Sequence, residues 1–138
     1  GTQKVWSMPD PSQKFYRKDH AGKRKMNRRA VGSKYEQIAK EWLKKQGLTI
    51  LAQNFRSRTG EIDLIARDER TIIFVEVKYR SSVSTGDPAE AVGWQKQMKI
   101  RNTARYYLYR NHYAEGTPCR FDVVAILGGE VRWIKNAF

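Results

Sequence analysis

The chain reads as an α/β fold in which a helix, three strands, a second helix, a strand and a short closing strand follow in order. Three observations carry that reading. Tyr35, Ile38, Ala39, Trp42 and Leu43 recur on one helical face. Residues 60–80, GEIDLIARDERTIIFVEVKYR, form two strand-like runs around a polar turn. Residues 120–135 place a β-branched run, the turn dipeptide Gly128-Gly129 and a return strand in sequence.

The elements justify themselves one by one. Residues 1–27 stand apart, because Pro9, Pro11 and Gly22 interrupt any periodicity and Lys23-Arg24-Lys25 forms a basic cluster. They are expected to be a mobile basic extension ahead of a domain over 28–138. The first helix spans about 30–46 and stops at Gly47. Glu36 lies at the margin of its apolar face, and a surface pair with Lys40 one turn on is its plain alternative. Residues 48–56 form the first strand. Arg56 and Arg58 then enter a polar turn at 57–60, where they either hold phosphates or simply flank the turn.

After Arg80, residues 81–86 are small and polar, a candidate loop over a substrate. Asp87-Pro88-Ala89-Glu90 has the form of a helix start, so Asp87 and Glu90 read as structural. The second helix continues to about Arg110 on a buried stripe of Ile100, Ala104, Tyr107 and Leu108. Extended backward, the stripe meets Lys96 and Gln97 instead of apolar residues. Lys99, Arg101, Arg105 and Arg110 spread over the other sides as a basic surface, and Tyr106, Tyr107 and Tyr109 read as packing and partner surface. In the strand that follows, Asp122 is the polar exception, either orienting a ligand or pairing with Arg120. Residues 130–135 return as an edge strand.

Length and composition bound the function. A chain of 138 residues suggests one domain. No apolar run approaches a membrane span, and the single Cys119 leaves no basis for a disulfide framework or a cysteine-rich zinc site. A cytoplasmic setting is expected. His20 and His112 are the only histidines, and no phosphate-cradling glycine loop is present, so triad and P-loop chemistry have little support. Charge points to a partner: 27 Lys+Arg stand against 14 Asp+Glu, a net +13. Residues 1–27 hold seven basic and two acidic groups (+5), leaving +8 for the domain itself. A polyanion follows, nucleic acid before an acidic membrane surface.

The 60–80 stretch carries the chemistry. If Glu69-Arg70 is a two-residue turn, paired positions sum to 139 and Asp63 stands opposite Glu76, their Cβ atoms roughly 4.5–5.5 Å apart. Two carboxylates that close resist joint ionisation, and a divalent cation between them removes the conflict. Lys78, two residues past Glu76, projects to the same side. Two carboxylates and a lysine on adjacent strands suit metal-assisted phosphodiester hydrolysis. Glu-x-Lys also occurs on ordinary exposed strands, where it serves solubility.

Asp63 followed by Glu76-Val77-Lys78 resembles the PD-(D/E)xK nuclease signature, with Ile62 where the leading proline stands. Together with Gly60-Glu61-Ile62-Asp63-Leu64-Ile65, Val75-Glu76-Val77-Lys78-Tyr79-Arg80, Arg120-Phe121-Asp122-Val123-Val124 and Asn136-Ala137-Phe138, it resembles the bacterial YraN-like family over about 29–138. That family is described as predicted endonucleases similar to archaeal Holliday-junction resolvases. The resemblance implies a restriction-endonuclease-like αβββαβ core with a mixed central sheet flanked by helices. It also implies a Mg²⁺- or Mn²⁺-dependent endonuclease acting on structured or branched DNA, with DNA favoured over RNA. Asp63 and Glu76 would bind the metal and Glu36 would complete the acidic cluster. Lys78 would orient the attacking water, and Arg80 and Lys96 would position the phosphate backbone beside Arg56, Arg58 and Lys99. A two-fold junction substrate further implies a homodimer. A non-catalytic nucleic-acid-binding module, or a basic adaptor on the same fold, is the alternative.

Overall fold

The computed structural model describes residues 5–7, 16–18, 24–26, 28–80 and 92–138. Three short strands, β1 (Val5–Ser7), β2 (Tyr16–Lys18) and β3 (Arg24–Met26), precede helix α1 (Arg28–Lys45). Strands β4 (Thr49–Ser57), β5 (Gly60–Asp68) and β6 (Thr71–Arg80) form an antiparallel meander. Helix α2 (Trp94–Arg110) carries the chain across to β7 (Cys119–Leu127), parallel to β6, and β8 (Glu130–Ile134) turns back along β7. A parallel neighbour needs such a crossover, whereas the other strands need only tight turns. The sheet order is β1-β8-β7-β6-β5-β4, a mixed sheet of the expected αβββαβ plan, and β2 pairs with β3 separately.

Each helix covers one face. Ala39, Trp42 and Leu43 of α1 pack on Leu64, Ala66, Ile73, Val75, Val124, Ile126, Val131 and Trp133. On the other face Ile100, Ala104 and Tyr107 of α2 meet Ile62, Ile65, Ile72, Phe74, Val123 and Ala125. The central strands are therefore buried on both sides, as continuous apolar runs require. In β5 the consecutive residues Leu64, Ile65 and Ala66 are all buried.

One expectation is corrected, with a clear cause. The expected edge strand is internal, because Val5–Ser7 pairs antiparallel with β8, Trp6 opposite Val131. Helix α2 begins at Trp94, with Gly93 extended at φ −63°, ψ 154° as its N-cap. The helix start expected at Asp87–Glu90 and the loop at 81–86 lie outside the described residues. The C-terminal turn is held by Asp122. This fully buried carboxylate accepts hydrogen bonds from Arg120 Nε (3.1 Å), the Trp133 indole (2.8 Å) and the Asn136 amide (2.9 Å). The plainer reading of Asp122 holds, since it shares the α1 side with Trp133 while Glu76 faces α2.

Candidate active site

The turn at Glu69-Arg70 sets the register, and the observed pairs from Asp68↔Thr71 to Leu64↔Val75 all sum to 139. The ladder stops there. Beyond Val75, β6 continues along β7, with Glu76 opposite Val123 and Lys78 opposite Ala125, but leaves β5. On its other side β5 is also interrupted. Asn54, at φ 53°, and Asp63 drop out between the pairs Gln53↔Leu64 and Phe55↔Ile62. Facing reverses at the same place, for Ile62 belongs to the α2-side core and Leu64 to the α1-side core. Residues two apart on a regular strand share a face, so Asp63 sits where the strand rolls over. Its carboxylate Oδ2 fills the opening by accepting the Val77 amide N–H at 2.8 Å, a bond the strand ladder would otherwise supply.

Glu76 follows Ile72 and Phe74 in strand alternation, which puts it, with Lys78, on the α2 side. It is buried, and its Oε1 accepts a charge-assisted hydrogen bond from the Lys96 ammonium, which reaches over from the first turn of α2. Lys96 was expected to position a phosphate backbone; in this state it is the counter-ion of Glu76. Lys78 is half-buried beside the pair.

The electrostatics record the crowding. Burial first and the Glu76 charge second push the Asp63 carboxyl up to about 8, Glu36 adding to the effect, while the Val77 hydrogen bond and Lys96 only partly oppose it. Burial also raises Glu36, on the half-buried side of α1, with Glu61 and Glu76 adding to the effect. A hydrogen bond from Asn54 and the Arg56 guanidinium pull Glu36 the other way. Glu36 thus lies within electrostatic range of both strand carboxylates. Among the described residues, however, no three His, Cys, Asp or Glu side chains are gathered closely enough to hold an ion by themselves. The inner pair is Asp63 and Glu76.

The expected phosphate contacts divide. Arg56 and Arg58 flank the β4–β5 turn, both exposed, and Arg56 Nε makes a 3.5 Å surface pair with Glu61, its cross-strand partner. Lys99 lies directly against this turn, since its Cβ would be 3.3 Å from a Cβ built on Gly60. Arg80 is exposed at the far end of β6, its Nη1 donating to the Tyr79 carbonyl. Sequence reasoning missed the hydroxyl cluster that fixes the turn. Thr103 Oγ1 donates to the Lys99 carbonyl at 2.8 Å and meets Thr59 Oγ1 at 2.9 Å and Ser57 Oγ at 3.3 Å. The signal was Thr103 on the buried stripe of α2, where it is fully buried. No helix among the described residues is long and apolar enough to cross a membrane.

The chain as a whole is similar to known proteins. The family model described as "Uncharacterised protein family UPF0102" matches residues 35–126. A UPF0102 protein of Lachnoclostridium phytofermentans is 53% identical over 113 residues, covering 82% of this chain and 96% of that protein. UPF0102 protein VFMJ11_2324 of Aliivibrio fischeri is 50% identical over 117 residues, 83% and 95% of the two chains. UPF0102 protein YraN of Salmonella agona is 45% identical over 116 residues, 83% and 88% of the two chains. With the αβββαβ core in place and relatives aligned over nearly their whole length, the chain belongs to the uncharacterised protein family UPF0102, the YraN-like group.

Proposed function

We propose that this protein is a metal-dependent endonuclease that hydrolyses phosphodiesters of structured DNA. The observation that carries the reading is Asp63: a carboxyl pushed up to about 8, one strand away from the buried Glu76, in a chain of net charge +13. Such a pair is stabilised by a cation, and Lys96 already supplies one ammonium on Glu76. The donor set is all oxygen, which suits Mg²⁺ or Mn²⁺, and Mg²⁺ commonly uses one or two carboxylates, retained water and substrate phosphate. Two carboxylates therefore fit the ion without a third. Asp63 and Glu76 hold it, and Glu36 assists through water. When bound, the ion supplies Lewis-acid stabilisation of charge building on the phosphate. Lys78 orients the attacking water and favours its hydroxide form. Lys96, displaced from Glu76, turns to a phosphate oxygen, while Arg56, Arg58, Lys99 and Arg80 hold the backbone on either side.

The test is cleavage of branched, duplex and single-stranded DNA with Mg²⁺ or Mn²⁺ by the parent, Asp63→Asn and Glu76→Gln. The parent is expected to cut at least one substrate and both variants to lose at least a hundredfold in rate, the ~2.7 kcal/mol that two decades represent. A parent that cuts nothing, or variants that cut like the parent, ends the nuclease reading. The Lys96–Glu76 pair favours one rival, a nucleic-acid-binding module whose acidic pair is structural. That rival binds DNA equally with and without divalent ion and cuts none of it.

A further inference from the structure

We propose that the hollow between the β4–β5 turn and α2 is a subsite for one unpaired nucleotide of the substrate strand, its base stacked on Tyr106 and its phosphate held by Arg56 and Arg58. This rests on the nuclease reading only in naming the strand as substrate. The hollow measures about 290 Å³ and is lined by Arg56, Ser57, Arg58, Thr59, Asn102 and Tyr106. Its size is at the small end of ligand clefts, suited to one base.

The walls have the chemistry of a nucleotide. Tyr106 is 43% exposed although its ring stacks on Phe55, centroids 6.1 Å apart and planes at 28°. One aromatic neighbour thus fixes the ring as a platform while much of it stays open. Arg56 and Arg58 are exposed beside it, and the surface pair of Arg56 with Glu61 is weak enough to exchange for phosphate. Asn102 adds an amide able to meet a base edge, its Oδ1 accepting a hydrogen bond from the exposed Arg105 Nη1 at 3.1 Å.

The floor is rigid. Ser57, Thr59 and Thr103 bond to one another and to the Lys99 carbonyl, and Gly60 allows the turn to touch α2. The location matches a strand passing the acidic pair. Asn102 lies six residues beyond Lys96 on α2, ~9 Å along the helix, and Lys96 touches Glu76. A strand with its phosphate at Asp63 and Glu76 therefore delivers a neighbouring nucleotide to the hollow. Stacking needs the face of a base, which a continuous duplex hides within its own stack, so the subsite selects splayed or single-stranded DNA.

The test is binding without metal. Fluorescein-labelled single-stranded oligodeoxythymidine, and a blunt duplex of equal length, are titrated in EDTA with the parent, Tyr106→Phe, Tyr106→Ala and Asn102→Trp. Arg70→Ala, in the β5–β6 turn, serves as the control for loss of charge. Tyr106→Ala is expected to weaken single-strand binding roughly tenfold, within the range of one lost stacking contact, with little change for duplex. Tyr106→Phe keeps both ring and affinity. Asn102→Trp fills the hollow without removing the Phe55–Tyr106 stack, so it reproduces the selective loss even if Tyr106→Ala folds poorly. The proposal is overturned if Asn102→Trp binds single strands like the parent, if either variant weakens both DNAs equally, or if the parent binds neither. Cleavage is a separate readout. Tyr106-dependent binding by a parent that cuts nothing sinks only the nuclease reading, and cleavage with Tyr106-independent binding sinks only the subsite.

Discussion

Asp63 ties acid–base behaviour to stability in a definite direction. Unfolded, its carboxyl titrates near ~3.9; folded, it is pushed up to about 8 by burial and by Glu76. Below pH 4 both states are protonated and the site exacts no penalty. As pH rises towards 8 only the unfolded chain releases the proton, so stability falls across that window, and the loss is complete above it. Thermal midpoints of the parent should therefore decline from pH 4 to pH 8 relative to Asp63→Asn. Mg²⁺ or Mn²⁺, binding the ionised form, should restore the parent at pH 8 but not the variant. A difference that stays flat with pH would remove the electrostatic basis of the site. Lys96 makes the complementary case. Lys96→Met leaves Glu76 without its ammonium, so Mn²⁺ affinity measured by calorimetry should rise while any DNA binding falls. The register of the β5–β6 hairpin was readable from Glu69-Arg70, because a two-residue turn fixes the pairs that follow it. The expected Asp63–Glu76 pair does not form, since the ladder ends at Leu64↔Val75. The roll of β5 at Asp63 was not readable, since Ile62 and Leu64 are both apolar and only the two-sided core distinguishes their faces.

At the scale of elements, two contacts hold the site's frame, and each has its own test. Gly60 sits at φ 153°, and a Cβ there would lie 3.3 Å from Lys99 Cβ and 3.4 Å from Thr103 Oγ1. Gly60→Ala should thus push the β4–β5 turn off α2 at a cost of about 1–3 kcal/mol, read as a lower denaturant midpoint, and should loosen the nucleotide hollow. The C-terminal turn depends on Asp122. Asp122→Ala strands the largely buried Arg120, unties the Asn136 amide and leaves the Trp133 indole unpaired, so a loss of about 3–5 kcal/mol is expected. The helices and the four long strands were legible because each carries a strong period or an unbroken apolar run. The pairing of Val5–Ser7 with β8 was not, because three residues among prolines and charges give no strand signal of their own. The motif residues Arg120, Asp122 and Asn136 were visible in the sequence, but their meeting across β7 and β8 is a tertiary fact.

For the whole molecule, charge decides how DNA would be held. A net +13 attracts any polyanion, so affinity alone says little about a built site; the salt dependence says more. Each phosphate neutralised contributes a slope of about −0.9 in log affinity against log salt for duplex DNA and about −0.7 for a single strand. Arg56, Arg58, Lys96 and Lys99 cluster around the β4–β5 turn and the first half of α2, and Arg80 stands apart at the end of β6. Contacts confined to that cluster give a duplex slope of about −3 to −4. The double variant Arg58→Ala, Lys99→Ala should then lower its magnitude by about 2. A pair of equal charge change on another surface, Lys44→Ala with Lys45→Ala at the end of α1, should leave it nearly unchanged. Equal loss from both pairs would mean that DNA sees only diffuse charge. A selective loss would locate the strand on the face that carries Asp63, Glu76 and the Tyr106 hollow, where a bound phosphate is close enough to the acidic pair for chemistry.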